Sequence, residues 1–177
     1  MEYQRSAGIL LHPTSLPGPY GIGDIGPAAF RWVDFLAETG CGLWQVLPLG
    51  PTGYGDSPYQ CFSAFAGNPL LISPEKLKED GFLSNEELNI PFEPNPKKID
   101  YGEVIEYKKS LLKTAYQNFK SNSKGLEKDF NKFCEEHNDW LDDYSLFMAC
   151  KDFHNGDIWS RWDKGLVQRD ESALKEW

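Results

Sequence analysis

Pro27-Ala28-Ala29-Phe30-Arg31-Trp32-Val33-Asp34-Phe35-Leu36 lies between two short apolar runs, Gly8-Ile9-Leu10-Leu11 and Leu43-Trp44-Gln45-Val46-Leu47-Pro48-Leu49. Ala29, Trp32, Val33 and Leu36 fall at i, i+3, i+4 and i+7, one apolar stripe of a helix. Pro27 suits the first helical position, where no amide hydrogen is needed. Gly40 is placed to end the helix with a left-handed residue. The flanking runs read as buried strands. A strand, a helix and a strand joined by a right-handed crossover make a parallel pair, so the fold class is α/β. Each strand runs into a long loop rich in Gly and Pro, at the carboxyl ends where such folds place their sites.

Composition divides the chain in two. Residues 1–74 hold nine of the twelve prolines and eleven of the sixteen glycines but only seven charged residues, which fits strands joined by shaped loops. Residues 75–177 read as solvated amphipathic helices. Ser73-Pro74 opens a short helix that Gly81 can stop, and Ser84 with Glu87 has the spacing of a capping box. Pro91-Phe92-Glu93-Pro94-Asn95-Pro96 cannot be helical throughout and is an extended connection. Three helix stripes follow. The first is Tyr101, Val104, Ile105, Leu111, Leu112, Ala115, Tyr116 and Phe119, interrupted by Lys108. Leu126, Phe130, Phe133 and Cys134 make the second. Trp140, Leu141, Tyr144, Phe147 and Met148 make the third. All three are expected to be core.

The 177 residues carry 18 Lys and Arg against 27 Asp and Glu, a formal net charge of −9. That balance speaks against nucleic acid, whose phosphates need clustered cations, and against an anionic membrane surface. No apolar run reaches the length of a signal peptide core or a membrane span, so the expected location is cytoplasmic. Cys41, Cys61, Cys134 and Cys150 include no Cys-x-x-Cys and are expected to be reduced and mostly buried. His12, His137 and His154 have no paired metal-ligand spacing. His137, at a helix end, suits a surface or capping role, while His12 follows the first strand directly and can face a site.

Gly21-Ile22-Gly23-Asp24-Ile25-Gly26 matches G-x-G-x-x-G literally. A dinucleotide fingerprint needs those glycines immediately after a strand, and Pro13, Pro17 and Pro19 intervene here. The glycines are expected to supply positive-φ turns ahead of Pro27. The loop Gly50-Pro51-Thr52-Gly53-Tyr54-Gly55-Asp56-Ser57-Pro58-Tyr59-Gln60 mixes aromatic rings with Asp, Ser and Gln. A tyrosine ring can cover the C–H face of a sugar while polar neighbours bond its hydroxyls. On the residues alone, sugar contact and simple aromatic stapling of a turn-rich loop stay equally open.

Arg5-Ser6-Ala7-Gly8-Ile9-Leu10-Leu11-His12-Pro13-Thr14-Ser15-Leu16-Pro17 and Pro19-Tyr20-Gly21-Ile22-Gly23-Asp24-Ile25-Gly26 together resemble the amino-terminal signature of the 4-α-glucanotransferases, or amylomaltases. Trp44-Gln45-Val46-Leu47-Pro48-Leu49-Gly50-Pro51, Gly55-Asp56-Ser57-Pro58-Tyr59-Gln60 and Ser63-Ala64-Phe65-Ala66-Gly67-Asn68-Pro69 continue the likeness. Further on, the stretch from Trp140 to Met148 and the pair Trp159 and Trp162 are also similar, although Asp163 stands where proline is expected. The resemblance implies the amino-terminal part of a (β/α)8 TIM barrel related to the α-amylase barrel. Residues 1–74 would be its first strands, helix and substrate loops, and residues 75–177 a helical insertion, with the rest of the barrel absent.

The resemblance also implies transfer of α-1,4-glucan segments to the 4-hydroxyl of an acceptor with retention, with no cofactor and no metal. Its partners would be maltooligosaccharides and α-1,4-glucans. Retention needs a carboxylate nucleophile and an acid/base. The family takes both from later strands, so no catalytic residue is expected in this chain and the chain alone is expected to be inactive. By the same resemblance Ser57 and Tyr59 line the donor sugar site, and Tyr54 and Tyr101 match a second glucan-binding surface. Two alternatives are a hydrolase on the same barrel and a non-catalytic glucan-binding or interaction module.

Overall fold

The computed structural model describes residues 5–177, with the side chain of Tyr54 excepted. Two compact units divide it, one reaching Lys124 and one running from Gly125 to Trp177. The compositional boundary at 74/75 and this division do not coincide, because the helices just after residue 74 pack with the loops before it.

In the first unit, strand β1 (Gly8–Leu10) pairs in parallel with β2 (Leu43–Gln45), with Ile9 opposite Trp44. Helix α1 (Pro27–Glu38) connects them, with Pro27 in its first turn and Gly40 at φ 74° just past its end. The strand–helix–strand reading and both helix punctuation marks hold. Burial of the strands does not: Leu10 is 54% and Leu43 57% exposed. Val33, expected on the packed stripe of α1, is also exposed, while Ala29 and Leu36 are buried. The second strand also stops at Gln45, short of Leu49. Beyond Gln45 the chain is pinned by single bonds, Asn68 N–H donating to the Leu49 carbonyl at 2.7 Å.

The core of this unit lies beyond the sheet. Helix α2 (Pro74–Glu79) is capped by Ser73, whose hydroxyl accepts from the Lys76 amide. Gly81, at φ 74°, follows it. Ser84 and Glu87 form both bonds of a capping box, at 2.7 and 3.3 Å, yet only a turn follows. The long helix α3 (Tyr101–Ser121) starts at Asp100, whose carboxylate accepts from the Glu103 amide. Its buried face carries Val104, Tyr107, Leu111 and Ala115. Tyr20, Phe82 and Leu83 pack on the lower part of that face, and Ile22 and Leu70 on the upper.

Lys108 interrupts this stripe and is fully buried on it. Its ammonium donates to the Ile72 carbonyl at 2.7 Å and to the Asp24 carboxylate at 3.4 Å. Burial pushes the Asp24 carboxyl up and the Lys108 ammonium down, and the attraction between them pulls each part of the way back. Gly26 makes room for this node: a Cβ there would overlap Ser73 Oγ and Asp24 Oδ1. Gly23 is likewise crowded by the carbonyls of Pro13 and Leu16. Within the glycine motif only Gly21 has positive φ, so its other two glycines serve close approach rather than the expected turns.

The second unit holds α4 (Glu127–Glu136), α5 (Asn138–Phe153), α6 (Lys164–Val167) and α7 (Glu171–Lys175). The α4 stripe expected as core is largely open, while the α5 stripe of Trp140, Leu141, Tyr144, Phe147 and Met148 is half-buried. Phe130 and Phe133 are each 45% exposed, and Cys150 is the one buried residue of α5. His137 sits between the two helices as their shared cap, with Trp140 Nε1 donating to its Nδ1 at 3.4 Å. His154 stacks on Trp162 at 5.4 Å. All four cysteines are free thiols; Cys150 is buried and the others are half-buried.

Candidate functional site

The loop after β1 turns at once. His12 caps a short 3-10 turn over Pro13–Ser15 and accepts the Thr14 amide on Nδ1 at 3.3 Å. The turn brings Thr14 to Gly18 along one wall of an open cleft of about 810 Å³. Gly21 to Gly23 form its floor, and the Pro94–Ile99 connection faces them. Tyr101, the first residue of α3, closes one end.

The loop after β2 is a small hairpin. Thr52 pairs with Cys61, and the Gly53 amide donates to the Gln60 carbonyl at 3.0 Å. Its tip holds Gly55 at φ 66° and Asp56 at φ 54°, two successive left-handed residues that reverse the chain. Ser57 is half-buried and its hydroxyl accepts from the Tyr59 amide at 3.3 Å. The Cys61 thiol donates to the Pro58 carbonyl at 2.8 Å. These bonds fix the backbone on both sides of Tyr59 and leave its ring 71% exposed.

Tyr101 stands beside the loop after β1. Burial raises that phenol above its ordinary value, the Thr14 hydroxyl beside it draws it back, and the Asp56 charge raises it again. The cleft thus brings Tyr101 together with Thr14, and the hairpin tip that includes Tyr54, whose side chain lies outside the described residues, does not line it. Ser57 and Tyr59 do not line the cleft. Thr14, Asn95, Lys97 and Lys98 do, and sequence reasoning passed them over. A threonine inside a Pro-rich loop and an Asn between prolines carry no periodic signal; only the fold sets them opposite each other.

Among the described residues no group of three or more His, Cys, Asp and Glu is arranged to hold a metal, and no helix is long and apolar enough to cross a membrane. The three aspartates before residue 75 are accounted for differently. Asp24 is tied to Lys108, Asp34 lies exposed on α1, and Asp56 sits at the hairpin tip.

A parallel strand pair with loop-built polar clefts at its carboxyl ends is the architecture of an α/β carbohydrate-active or nucleotide-binding protein. The comparisons decide between these: the chain belongs to the 4-alpha-glucanotransferase family, whose model matches residues 11–177. It is 51% identical over 176 residues to a 4-alpha-glucanotransferase of Synechocystis, covering 98% of this chain and 35% of that protein. It is 50% identical to a 4-alpha-glucanotransferase of Thermus thermophilus, covering 99% of this chain and 35% of that protein. An amylomaltase structure from Streptococcus agalactiae, in complex with acarbose, superposes with a TM-score of 0.91 at 40% identity, over 98% of this chain and 35% of that one. The chain therefore spans about a third of the length of the curated relatives it matches.

Proposed function

We propose that this chain contributes the first strands and substrate loops of a retaining 4-α-glucanotransferase acting on maltooligosaccharides and α-1,4-glucans. The observation that carries this is the family match running unbroken through both loops and the helices after them. In this reading β1 and β2 are the first two strands of a (β/α)8 barrel, and residues 75–177 are a helical insertion into it. Leu10 and Leu43 leave the sheet face away from α1 open, and Phe30 and Phe35 leave α1 open, which fits a sheet and helix layer that continue.

The chemistry then has two steps. A carboxylate attacks the anomeric carbon of the donor and expels the leaving sugar, which takes a proton from a carboxylic acid; the acceptor 4-hydroxyl later displaces the carboxylate and gives its proton to the same acid/base. We assign neither carboxylate to this chain. Asp24 is unsuited because it is held at 3.4 Å by a buried ammonium. Ser57 and Tyr59 would contact the donor sugar, Tyr59 by its open ring. Tyr54 and Tyr101 would bind glucan beyond it, with Thr14 and Asn95 adding hydrogen bonds along the cleft. No cofactor enters this scheme. The acidic balance supports a neutral polysaccharide partner rather than nucleic acid, and a cytoplasmic enzyme fits the same reading.

Two measurements test this. The chain alone, incubated with maltotriose, should give no glucose and no longer oligosaccharides; a product ladder would overturn the carboxylate assignment. Calorimetric titration with maltohexaose should show binding that Tyr101→Ala weakens. No binding at all, or binding that Tyr101→Ala leaves untouched, would overturn the cleft as a glucan site.

A further inference from the structure

We propose that His12 is a positioning residue for the glucan site, because its one ring holds the loop after β1 and the loop after β2 in a single arrangement. The inference rests on the glucan reading above. The Thr14 amide can only donate, and it lies 3.3 Å from His12 Nδ1; the Thr14 hydroxyl lies 2.7 Å from the same nitrogen. Nδ1 is therefore the acceptor, and the neutral ring carries its proton on Nε2. Nε2 lies 3.4 Å from the Pro48 carbonyl and donates to it. Pro48 leads into the Gly50–Cys61 hairpin that presents Ser57 and Tyr59. At the other end, the Thr14 hydroxyl neighbours the Tyr101 phenol. Pro48, His12, Thr14 and Tyr101 thus form one line, from the end of β2, past the end of β1, to the start of α3.

A cap alone does not need histidine. Asn, Asp, Ser or Thr satisfies the first amides of a helical turn as well or better. What the imidazole adds is a second polar atom, facing away from the turn and far enough out to reach Pro48. Among the described residues the Pro48 carbonyl takes no other hydrogen bond, while the neighbouring Leu49 carbonyl is taken by the Asn68 amide. The hairpin is therefore anchored from two directions at its root, one of them through His12.

The two roles separate in His12→Asn. Asparagine keeps the cap and is too short to reach Pro48. Amide exchange followed by mass spectrometry, and calorimetry with maltohexaose, would be run on the wild-type chain and on this variant. An ordinary hydrogen bond predicts exchange about two- to tenfold faster across residues 49–61 and a loss of maltohexaose affinity of about the same factor, with exchange at Thr14 and Ser15 unchanged. His12→Gln, which reaches outward but loses the cap geometry, should show the opposite pattern of exchange. If His12→Asn matches wild type over 49–61, or binds maltohexaose equally well, the positioning role is overturned and His12 is a cap only. Faster exchange throughout residues 5–124 would also overturn it, by showing general destabilisation. Should the wild-type chain bind no maltohexaose, the glucan reading fails, and the exchange data alone still decide the tether.

Discussion

Replacing Lys108 by methionine tests the charged node that locks α3 to the loops. The side chain has no exposed surface, so its ammonium cannot turn to water when a partner is removed. Lys108→Met deletes the 2.7 Å bond to the Ile72 carbonyl and the 3.4 Å pairing with Asp24. It leaves the Asp24 side chain 11% exposed and without its cation. A charge-assisted bond of this kind contributes about 1.5–3 kcal/mol. Breaking a buried pair from one side costs about 3–5 kcal/mol in total. Asp24 can relieve part of that by holding a proton, since burial already raises its carboxyl, so the lower end, about 3 kcal/mol, is expected. Amide exchange in α3 reads this locally: at about 1.4 kcal/mol per tenfold, the protected amides near Leu111 should exchange on the order of a hundredfold faster. The double variant Asp24→Asn/Lys108→Met removes both charges and keeps a polar group beside Ser73. Because burial opposes the charged form of both partners, the double variant should recover about 1–2 kcal/mol of the single loss. Strictly additive losses, or a single variant costing under about 1 kcal/mol, would refute the reasoning.

Three further outcomes are expected. In an enzyme that contains this chain, Tyr59→Ala should lower turnover on maltotriose more than it raises the Michaelis constant, while Tyr59→Phe should cost only about 0.5–1.5 kcal/mol; Tyr54→Ala should spare maltotriose and weaken action on long glucans, and identical kinetics for the two alanine variants would sink the donor-site assignment. Tyr20 and Tyr107 are held up at about 12, mainly by burial, with the Glu75 and Asp24 charges adding for Tyr20 and Tyr20 itself for Tyr107. Their folded values lie above the unfolded value of 10.0, so the stability they contribute is complete below about pH 10 and is lost as pH rises toward 12; near-ultraviolet phenolate absorbance should show Tyr20 and Tyr107 among the late-titrating tyrosines, and uniform titration near 10 would contradict their burial. The chain should bind a hydrophobic dye strongly, because Leu10 and Leu43 on the sheet and Phe30, Val33 and Phe35 on α1 are all at least 47% exposed, and dye fluorescence at the level of a sealed globular protein would argue against that exposure.

The sequence made the order of elements legible because the signals involved are local. Pro27, Gly40, Ser73 and Gly81 mark helix ends by backbone constraint alone, and each stands where expected. The Ser84–Glu87 box also formed, but a cap only permits a helix, and Pro91 follows too soon for one. Periodicity identified the apolar faces of β1, β2 and α4 without saying what covers them, so burial was overread at Leu10, Leu43, Phe130 and Phe133. Lys108 shows the other limit. Its misfit on the stripe was visible, yet its meaning depends on Asp24, 84 residues earlier, within a glycine motif that looked like turn chemistry.

The candidate site divides along the same line. Tyr101 and the hairpin could be grouped only by resemblance, since nothing between residues 60 and 100 ties them together in sequence. In the structure Tyr101 shares the cleft with Thr14, and burial, with a smaller addition from the Asp56 charge, raises its phenol. Burial, which opposes ionisation, keeps the phenol a hydrogen-bond donor, and the Thr14 hydroxyl beside it can donate or accept. A glucan offers hydroxyls that both donate and accept, so a donor and an acceptor set side by side can bond neighbouring hydroxyls of one ring.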